Sequence, residues 1–422
     1  MTGKPEDALG VYISIPFCRS KCTYCNFASG VYPASDHARY VRRIVEDIAA
    51  AGTWAARMGL ELPRTVDTIY LGGGTPSLLA PELLIRLFDT LRAEFEFAPN
   101  AEITVECAPG QLADPTLAAL VAAGVNRVSL GVQSFIDREA AVSGRLHNRA
   151  VVLEDLRRLR AAGIANLNVD LIAGLAGQTF ASWQESLAVL AQCEVPHASL
   201  YMLEVDEDSR LGREMLSHGA RYHAELVPGD DAIVRMYAEA IETLGRVGLA
   251  QYEISNFCRP GFESRHNLRY WQRRPYLGLG LDASSMLREA SSKMSRRVLR
   301  TTTTSDLQAF LQRPDPEETT WLSSEQQHEE TWFLGLRLNR GVDGSPVEDE
   351  FGPELVASAL EVVASLAEDG LVTLEGSTVR LTPHGQLLSN DVFQEFLDLR
   401  PHCGAQPAQN SSGVARSVRA RL

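Results

Sequence analysis

The sequence predicts an α/β fold, a partial (β/α)6 TIM-like barrel followed by a mainly helical, winged-helix-like C-terminal domain. Six short apolar runs alternate with helix-patterned stretches in the first half of the chain. This alternation is typical of parallel strands joined by right-handed crossovers. The 422 residues are enough for a barrel and a smaller domain.

The apolar runs that we predict as strands are Val11–Phe17, Thr68–Leu71, Glu102–Glu106, Arg127–Val132, Asn166–Ile172 and Ala198–Val205. The helices predicted between them are Ala38–Ala56, Pro81–Ala93, Pro115–Ala123, Ala150–Ala162 and Ala181–Gln192. Six such units form either an open doubly wound sheet or a partial barrel.

The polar residues at the strand ends favour the barrel. Cys18 follows the first run, Gly72–Pro76 follows the second, and Glu106 ends the third. Gln133 stands at the end of the fourth run and Asp170 lies in the fifth. Barrel enzymes place their reactive groups at the carboxyl ends of the strands, so a partial barrel is expected.

The alternation weakens beyond residue 205. The elements predicted there are a helix at Asp230–Leu249, a strand at Gln251–Phe257, a linker at 300–320, helices at Ser324–Leu338 and Pro353–Glu368, a hairpin of Leu371–Leu374 and Val379–Leu381, and a last helix at Pro383–Leu399. The last five elements resemble a winged helix, which indicates either DNA binding or a packing and docking role. The acidity of this stretch favours the second interpretation.

We therefore expect four units along the chain. They are the barrel at 1–235, an extension at 236–300, the C-terminal domain at 301–400, and a disordered tail at 401–422.

The composition narrows the class of protein. The formal net charge of −14 argues against a nucleic-acid partner, which would need a basic face. Seven cysteines without a signal peptide indicate a reducing compartment. No apolar run reaches the ~18 residues that a membrane span needs. We expect a cytoplasmic protein with no membrane anchor.

A loop with the spacing CxxxCxxC carries the main chemical signal. Cys18, Cys22 and Cys25 offer three thiolates directly after the first strand. Zinc sites use four ligands, in C-x2-C pairs, and no second pair is present, so zinc would need a distant fourth ligand. Three thiolates suit a [4Fe–4S] cluster whose fourth iron stays open, because such clusters are normally held by four cysteines. Ordinary thiols are the third interpretation.

With this loop after strand one and glycines after strand two, the chain resembles the radical S-adenosylmethionine (SAM) superfamily over about residues 8–235. The resemblance implies a [4Fe–4S] cluster on Cys18, Cys22 and Cys25. It also implies that the open iron chelates SAM, and that the reduced cluster cleaves SAM to a 5′-deoxyadenosyl radical.

Further motifs resemble the oxygen-independent coproporphyrinogen III dehydrogenase family of porphyrin biosynthesis. They are Tyr12–Cys18, Leu71–Pro76, Val132–Phe135, Asn168–Ile172 and Gly174–Leu175. By this resemblance the SAM contacts are Tyr12, Gly73, Gly74, Thr75, Glu106, Gln133, Arg145 and Asp170, and Tyr24 flanks the cluster loop. Taken singly, the glycine run has a second interpretation as a tight turn, and each charged residue as a surface charge.

Two features depart from the dehydrogenase pattern. Its motif continues as CxxxCxxCxC, and Phe27 stands at the last cysteine position. Only 17 residues precede Cys18, so the segment that would help to enclose a porphyrinogen is expected to be missing. Both features resemble a sister group within the family, the heme chaperones.

The resemblance to the heme chaperones implies binding of heme and its transfer to acceptor proteins, respiratory enzymes among them. It implies an electron donor such as a flavodoxin or ferredoxin, and a capacity for SAM cleavage without dehydrogenase activity. Three rivals stay open: a porphyrinogen-modifying enzyme, a non-catalytic iron–sulfur module, and a radical SAM enzyme with another substrate.

The stretch His266–Trp271 matches the HNxxYW motif of the heme chaperones. An imidazole can serve as an axial ligand of heme iron, so His266 is the candidate heme ligand. The other interpretation is a core histidine with its hydrogen bonds satisfied. Covalent c-type attachment is not expected, because the C-x-x-C pair is followed by Asn26 and not by histidine.

Overall fold

A twelve-stranded sheet forms the body of the molecule in the computed structural model, which describes residues 8–217, 219, 221–291, 297–312, 318–397 and 399. Its strands in chain order are β1 (Leu9–Ile15), β2 (Thr65–Gly73), β3 (Glu96–Cys107), β4 (Arg127–Gln133), β5 (Asn166–Ala173), β6 (His197–Met202), β7 (Ala250–Glu253), β8 (Asn256–Cys258), β9 (Tyr276–Leu279), β10 (Ser284–Arg288), β11 (Val298–Thr302) and β12 (Glu318–Leu322).

Strands β1 to β6 are parallel and lie side by side in sequence order, as a partial barrel requires. The helices of this part are α1 (Ala34–Arg57), α2 (Pro81–Glu94), α3 (Asp114–Ala122), α4 (Asp137–Val142), α5 (Arg149–Ala161), α6 (Phe180–Gln192), α7 (Arg210–Ser217) and α8 (Asp230–Arg246). The predicted class and order of these units are confirmed.

Each strand alternates between an apolar side and a polar side. On β1, Val11 and Ile13 are fully buried in the same core as Tyr40 and Ile44 of α1. Tyr12, between them in the strand, carries a polar side chain and lies opposite Tyr70 of β2. The apolar sides of the strands therefore pack on the helices, and the polar sides line the barrel interior.

Residues 250–322 extend the sheet at both edges. The predicted strand Gln251–Phe257 is two strands, because β7 and β8 form an antiparallel hairpin that pairs with β6. The short helix α9 (Arg265–Trp271) follows, and β9 then pairs in parallel with β1.

The predicted linker at 300–320 is wrong. Strands β11 and β12 pair with each other there, and α10 (Leu307–Gln312) lies between them. Threonine, which contributed to the linker prediction, is also common in strands. Here Thr301, Thr302, Thr319 and Thr320 lie in strands β11 and β12 at the edge of the sheet.

The C-terminal domain has the helix–strand–helix–helix–strand–strand order of a winged helix. Its elements are α11 (Ser324–Gly335), β13 (Val342–Asp343), α12 (Gly344–Phe351), α13 (Pro353–Glu368), β14 (Val372–Glu375), β15 (Thr378–Leu381), α14 (Pro383–Leu387) and α15 (Ser389–Gln394). Trp332, Val363, Val379 and Phe396 form a core separate from that of the barrel.

The predicted last helix, Pro383–Leu399, is wrong in its length. Leu388 leaves the helical conformation with φ −108° and ψ 27°, so two short helices replace one long helix. The predicted disordered tail at 401–422 lies outside the described residues.

Candidate functional site at the barrel mouth

The cysteine loop leaves β1 at the carboxyl-terminal end of the barrel, which we call the mouth. Cys18, Cys22 and Cys25 are free thiols, and all three are partly exposed. The Cys18 N–H donates to the Gly30 carbonyl at 2.8 Å, and the Lys21 ammonium donates to the carbonyl oxygens of Phe27 and Ser29 at 3.0 and 3.1 Å. These bonds fold the loop back on itself, with all three thiols on this one short segment.

The surroundings of the thiols suit a metal cluster. Thr75 Oγ1 donates to Cys18 Sγ at 3.9 Å, and Ser29 Oγ lies 3.9 Å from Cys25 Sγ. Burial raises the pKa of the Cys18 and Cys25 thiols, so a bound cation must supply the charge that keeps them as thiolates. Among the described residues, no three His, Cys, Asp or Glu side chains converge on a single ion. A cluster makes a different demand, since each thiolate binds its own iron.

Gly74, directly after β2, lies too close to neighbouring backbone atoms to carry a side chain. A Cβ at Gly74 would lie 2.7 Å from the Ile15 carbonyl oxygen and 2.9 Å from that of Phe17. The Gly74 N–H donates to that Ile15 oxygen at 2.9 Å. Gly73 has φ +95°, which favours glycine. The run therefore packs backbone to backbone against the start of the cysteine loop.

Two carboxylates lie on neighbouring levels of the barrel interior. Glu106 accepts hydrogen bonds from the Tyr70 hydroxyl at 2.9 Å and from the Gly73 N–H at 3.1 Å. Asp170 accepts from Ser129 Oγ at 3.1 Å and from Asn168 Nδ2 at 2.6 Å. Burial and, after it, the charge of Asp170 raise the pKa of Glu106 to about 7. A cation between the two would relieve both effects.

Arg145 and Gln133 bring unused hydrogen-bonding atoms to the same place. Arg145 Nη2 donates to the Tyr24 hydroxyl at 3.0 Å. A Cβ at Gly131 would lie 3.1 Å from Arg145 Nη2, so this glycine makes room for the guanidinium. In the described part of the chain, Arg145 Nε and Gln133 Oε1 are buried and have no partner. Gln133 has a φ of 71°, which is uncommon for a residue other than glycine. These atoms point to a polar ligand at the mouth.

His266 lies away from the mouth, where α9 closes the amino-terminal end of the barrel, which we call the floor. Its side chain is buried, with Nδ1 3.0 Å from Thr68 Oγ1 and Nε2 2.9 Å from the Tyr270 hydroxyl. Burial, and after it Arg269, lower the pKa of His266 well below its usual value. Both nitrogens have hydroxyl partners in this structure, as the core-histidine interpretation expects. Ligation of a heme iron by His266, the other prediction, would displace one of these hydrogen bonds.

Arg269 holds the floor together. Its buried guanidinium donates to the Ala8 carbonyl at 2.7 Å, to the Pro275 carbonyl at 2.9 Å, and to Asp67. Burial lowers the pKa of Arg269 to about 10, although Asp67 opposes this. A Cβ at Gly10 would collide with the Arg269 side chain, so this position favours glycine.

Comparisons with known proteins agree with this geometry. The sequence model of the radical SAM superfamily matches residues 12–190, and that of the HemN C-terminal domain matches residues 322–388. The chain is 32% identical to the heme chaperone HemW of Lactococcus lactis over 94% of its own length and 98% of that protein. It is 33% identical to HemW of Bacillus subtilis, over 92% of its own length and 98% of that protein. The chain belongs to the HemW family.

The fold has a solved counterpart. Coproporphyrinogen III oxidase (HemN) from Escherichia coli, described as a radical SAM enzyme, superposes with a TM-score of 0.78 at 24% identity, over 93% of this chain and 91% of that one. This likeness concerns the fold. No helix among the described residues is long and apolar enough to cross a membrane.

The structure of this HemW-family chain brings Tyr12, Tyr24, Gly73, Gly74, Thr75, Glu106, Gln133, Arg145 and Asp170 into the barrel and its mouth, together with the cysteine loop. His266 lies nearer the floor and packs against this group, with its ring centroid 6.4 Å from that of Tyr12 and 5.3 Å from that of Tyr70. Sequence reasoning missed the support residues Tyr70, Ser129 and Asn168, which hold the two carboxylates. Their signal was the polar residue at every second position of the apolar runs.

Proposed function

We propose that this protein is a heme chaperone that holds a [4Fe–4S] cluster and SAM at the barrel mouth and passes heme to acceptor proteins. The observation that carries the proposal is the placement of three free thiols on one loop beside unpartnered buried polar atoms, in a chain similar to HemW along almost its whole length.

The cluster ligands in this proposal are Cys18, Cys22 and Cys25. A bound cluster of this kind supplies an electron and one open iron for the amino and carboxylate groups of SAM. Support comes from the threonine and serine hydroxyls beside two of the sulfurs and from the glycine backbone packed behind them.

The chain's own residues orient SAM. Glu106 accepts from the SAM amino group, because its carboxylate is buried and receives hydrogen bonds from two neutral donors, the Tyr70 hydroxyl and the Gly73 N–H. Arg145 donates to the SAM carboxylate through its unpartnered Nε. Asp170 accepts hydrogen bonds from the ribose hydroxyls, and Gln133 offers its unpartnered Oε1 to the ligand. The cavity around SAM is shaped by Tyr12, Tyr24, Gly73, Gly74 and Thr75.

The wider setting follows from the same proposal. We infer a cytoplasmic protein whose acceptors include respiratory enzymes and whose cluster is reduced by a flavodoxin or ferredoxin. Coproporphyrinogen III oxidation is the alternative. Phe27 stands exposed where the dehydrogenase motif has its fourth cysteine, so the chaperone is favoured.

Anaerobic reconstitution tests the proposal. The holo-protein should contain about four irons per chain, respond spectroscopically to SAM, bind heme, and transfer it to a heme-free acceptor. Turnover of coproporphyrinogen III with SAM under reducing conditions would support the alternative instead. Failure to bind heme would overturn the chaperone assignment.

A further inference from the structure

One row of side chains crosses the barrel interior between the floor and the two carboxylates of the mouth. The backbone register places five residues of neighbouring strands side by side, in the order Tyr12, Tyr70, Thr104, Arg127 and Asn166. Residues paired in register on parallel strands point to the same face of the sheet. Tyr70 donates to Glu106 inside the barrel, so this interior row faces the cavity of the barrel.

Arg127, in this row, is a buried cation without a partner. It is 2% exposed, and its Nε is buried. Among the described residues, no ion pair or side-chain hydrogen bond satisfies its guanidinium. Burial raises the pKa of Asp170 and the charge of Arg127 opposes this, yet Asp170 accepts its hydrogen bonds from Ser129 and Asn168. A buried cation is costly unless an anion pairs with it, so Arg127 is available to an anion that enters the barrel.

The two neighbours of Arg127 in the interior row also have unused polar atoms. Thr104 Oγ1 and Asn166 Oδ1 are buried without a partner in the part of the chain that the structure describes. A threonine hydroxyl can donate a hydrogen bond, and a rotated asparagine amide can donate through its nitrogen. Three adjacent strands thus offer unused polar groups at one level of the barrel.

This group of polar atoms is separate from the one at the mouth. Strand β4 begins at Arg127 and ends at Gln133, which is ~20 Å further along the strand at the usual rise per residue. The SAM carboxylate, which the proposed function gives to Arg145 at the mouth, therefore leaves Arg127 without an anion.

Aromatic rings line the interior beside these polar atoms. Tyr12 and Tyr70 are partly exposed, and their ring centroids lie 6.1 Å apart. Tyr201 of β6 is 42% exposed, although burial raises its pKa, so its side chain faces a space that protein surrounds. The interior therefore has room next to its tyrosine rings.

The chemistry of the interior row fits a flat ring with a carboxylate at its edge. Aromatic side chains pack on flat rings, and the planar guanidinium binds a carboxylate through two parallel hydrogen bonds. A small anion would pair with Arg127 but would not use the tyrosines. A purely apolar ring would leave the cation unpaired. Heme has both a flat macrocycle and propionate carboxylates.

We propose that Arg127 binds a carboxylate inside the barrel, between Thr104 and Asn166, and that this carboxylate is a propionate of heme. The inference rests on the proposed heme chaperone function. It adds to that function a residue that selects tetrapyrroles with free propionates, while the macrocycle lies against Tyr12 and Tyr70.

Titration of the full-length holo-protein with hemin and with hemin dimethyl ester tests the site, because the ester has no free propionate. The parent should bind hemin about tenfold more tightly than the ester. Arg127→Met removes the cation and keeps a straight side chain. It should raise the Kd for hemin about tenfold and leave the Kd for the ester unchanged. Arg246→Met, at a surface pair with Glu242, is the control and should change neither value.

Urea denaturation separates a binding role of Arg127 from a structural one. Without heme, Arg127→Met should unfold at a higher urea concentration than the parent, because the variant no longer buries an unpaired cation. A lower midpoint would mean that Arg127 holds the fold, and the assignment would be overturned.

A small carboxylate such as acetate is the other source of an anion for Arg127. In that case hemin and its ester would bind the parent equally, and acetate would raise the urea midpoint of the parent but not that of Arg127→Met. That result, or equal hemin affinity of the parent and Arg127→Met, would make the propionate site wrong and leave the chaperone function standing. If the parent binds no heme, the function and the site are both overturned.

Discussion

The two ends of the barrel use the same kinds of side chain in opposite ways. At the floor, the two nitrogens of His266 pair with the hydroxyls of Thr68 and Tyr270. The Arg269 guanidinium donates to the Ala8 carbonyl. At the mouth, Arg145 Nε and Gln133 Oε1 are buried without a partner in the described structure. Satisfied groups of this kind stabilise the floor, although Trp271 Nε1 of α9 is buried without a partner there, and the open groups at the mouth lie beside the cysteine loop, where a polar ligand can pair with them.

The strongest test of this contrast is removal of a cluster ligand. Cys22→Ser should abolish the cluster, because a serine hydroxyl does not replace a thiolate on iron and two thiolates do not hold the cube. Iron and sulfide analysis after anaerobic reconstitution measures the loss, and circular dichroism should show an unchanged fold. Cys193→Ser, at a buried thiol away from the mouth, is the control and should keep full iron content.

A variant at the floor should lower the stability of the fold, whereas the cysteine variant lowers the iron content. Asp67→Asn leaves the buried Arg269 cation without its carboxylate partner, so we expect a loss of about 3–5 kcal/mol in the free energy of unfolding. Denaturant titration measures it. Glu242→Gln breaks a surface pair with Arg246 and should cost at most about 1 kcal/mol. Equal effects of the two variants would contradict the structural role of the floor.

The mouth should show a pH dependence that the floor lacks. The Glu106 pKa is raised to about 7, so the carboxylate that receives the SAM amino group is lost as the pH falls through that value. SAM affinity should therefore drop between about pH 8 and about pH 6, with Asp170 and Arg145 as the charged neighbours.

Glu106→Gln checks the origin of that dependence. It should weaken SAM binding by about 1.5–3 kcal/mol, roughly tenfold to a hundredfold, and leave the affinity flat with pH. Equilibrium dialysis with the holo-protein measures both. A variant that retained the parental pH profile would remove Glu106 from the SAM site.

The smallest effect is expected at His266. His266→Phe leaves the hydroxyls of Thr68 and Tyr270 without their partner, which should cost about 1–3 kcal/mol of stability. Heme stoichiometry and spectrum should be those of the parent. Loss of an imidazole-ligated heme spectrum in this variant, with its fold intact, would instead make His266 the heme ligand.

The barrel and its mouth were predictable because their signals are local. Six apolar runs in sequence order give six parallel neighbours, and Cys18, Gly73, Glu106 and Asp170 follow or end those runs. The carboxyl ends of parallel strands meet at one edge, so residues distant in sequence were expected together.

The role of the HNxxYW segment was not predictable from its own residues. Its histidine is satisfied by Thr68, 198 positions away, and its arginine by Asp67 and Ala8. Partners at such separations leave no mark in the motif itself. The burial of Glu214 in α7 was hidden for a similar reason, since its carboxylate accepts hydrogen bonds from backbone N–H groups later in the chain.

The hydrogen bonds from Arg269 to the Ala8 and Pro275 carbonyls have a consequence for synthesis of the chain. Strand β1 has two sheet neighbours, β2 and β9, and the second lies at Tyr276–Leu279. About two-thirds of the polypeptide must leave the ribosome before that edge is covered and α9 can clamp it. Until then one edge of the nascent first strand is unpaired, and an unpaired edge is a site for aggregation. The thiols of the cysteine loop are also synthesised before the barrel around them is complete.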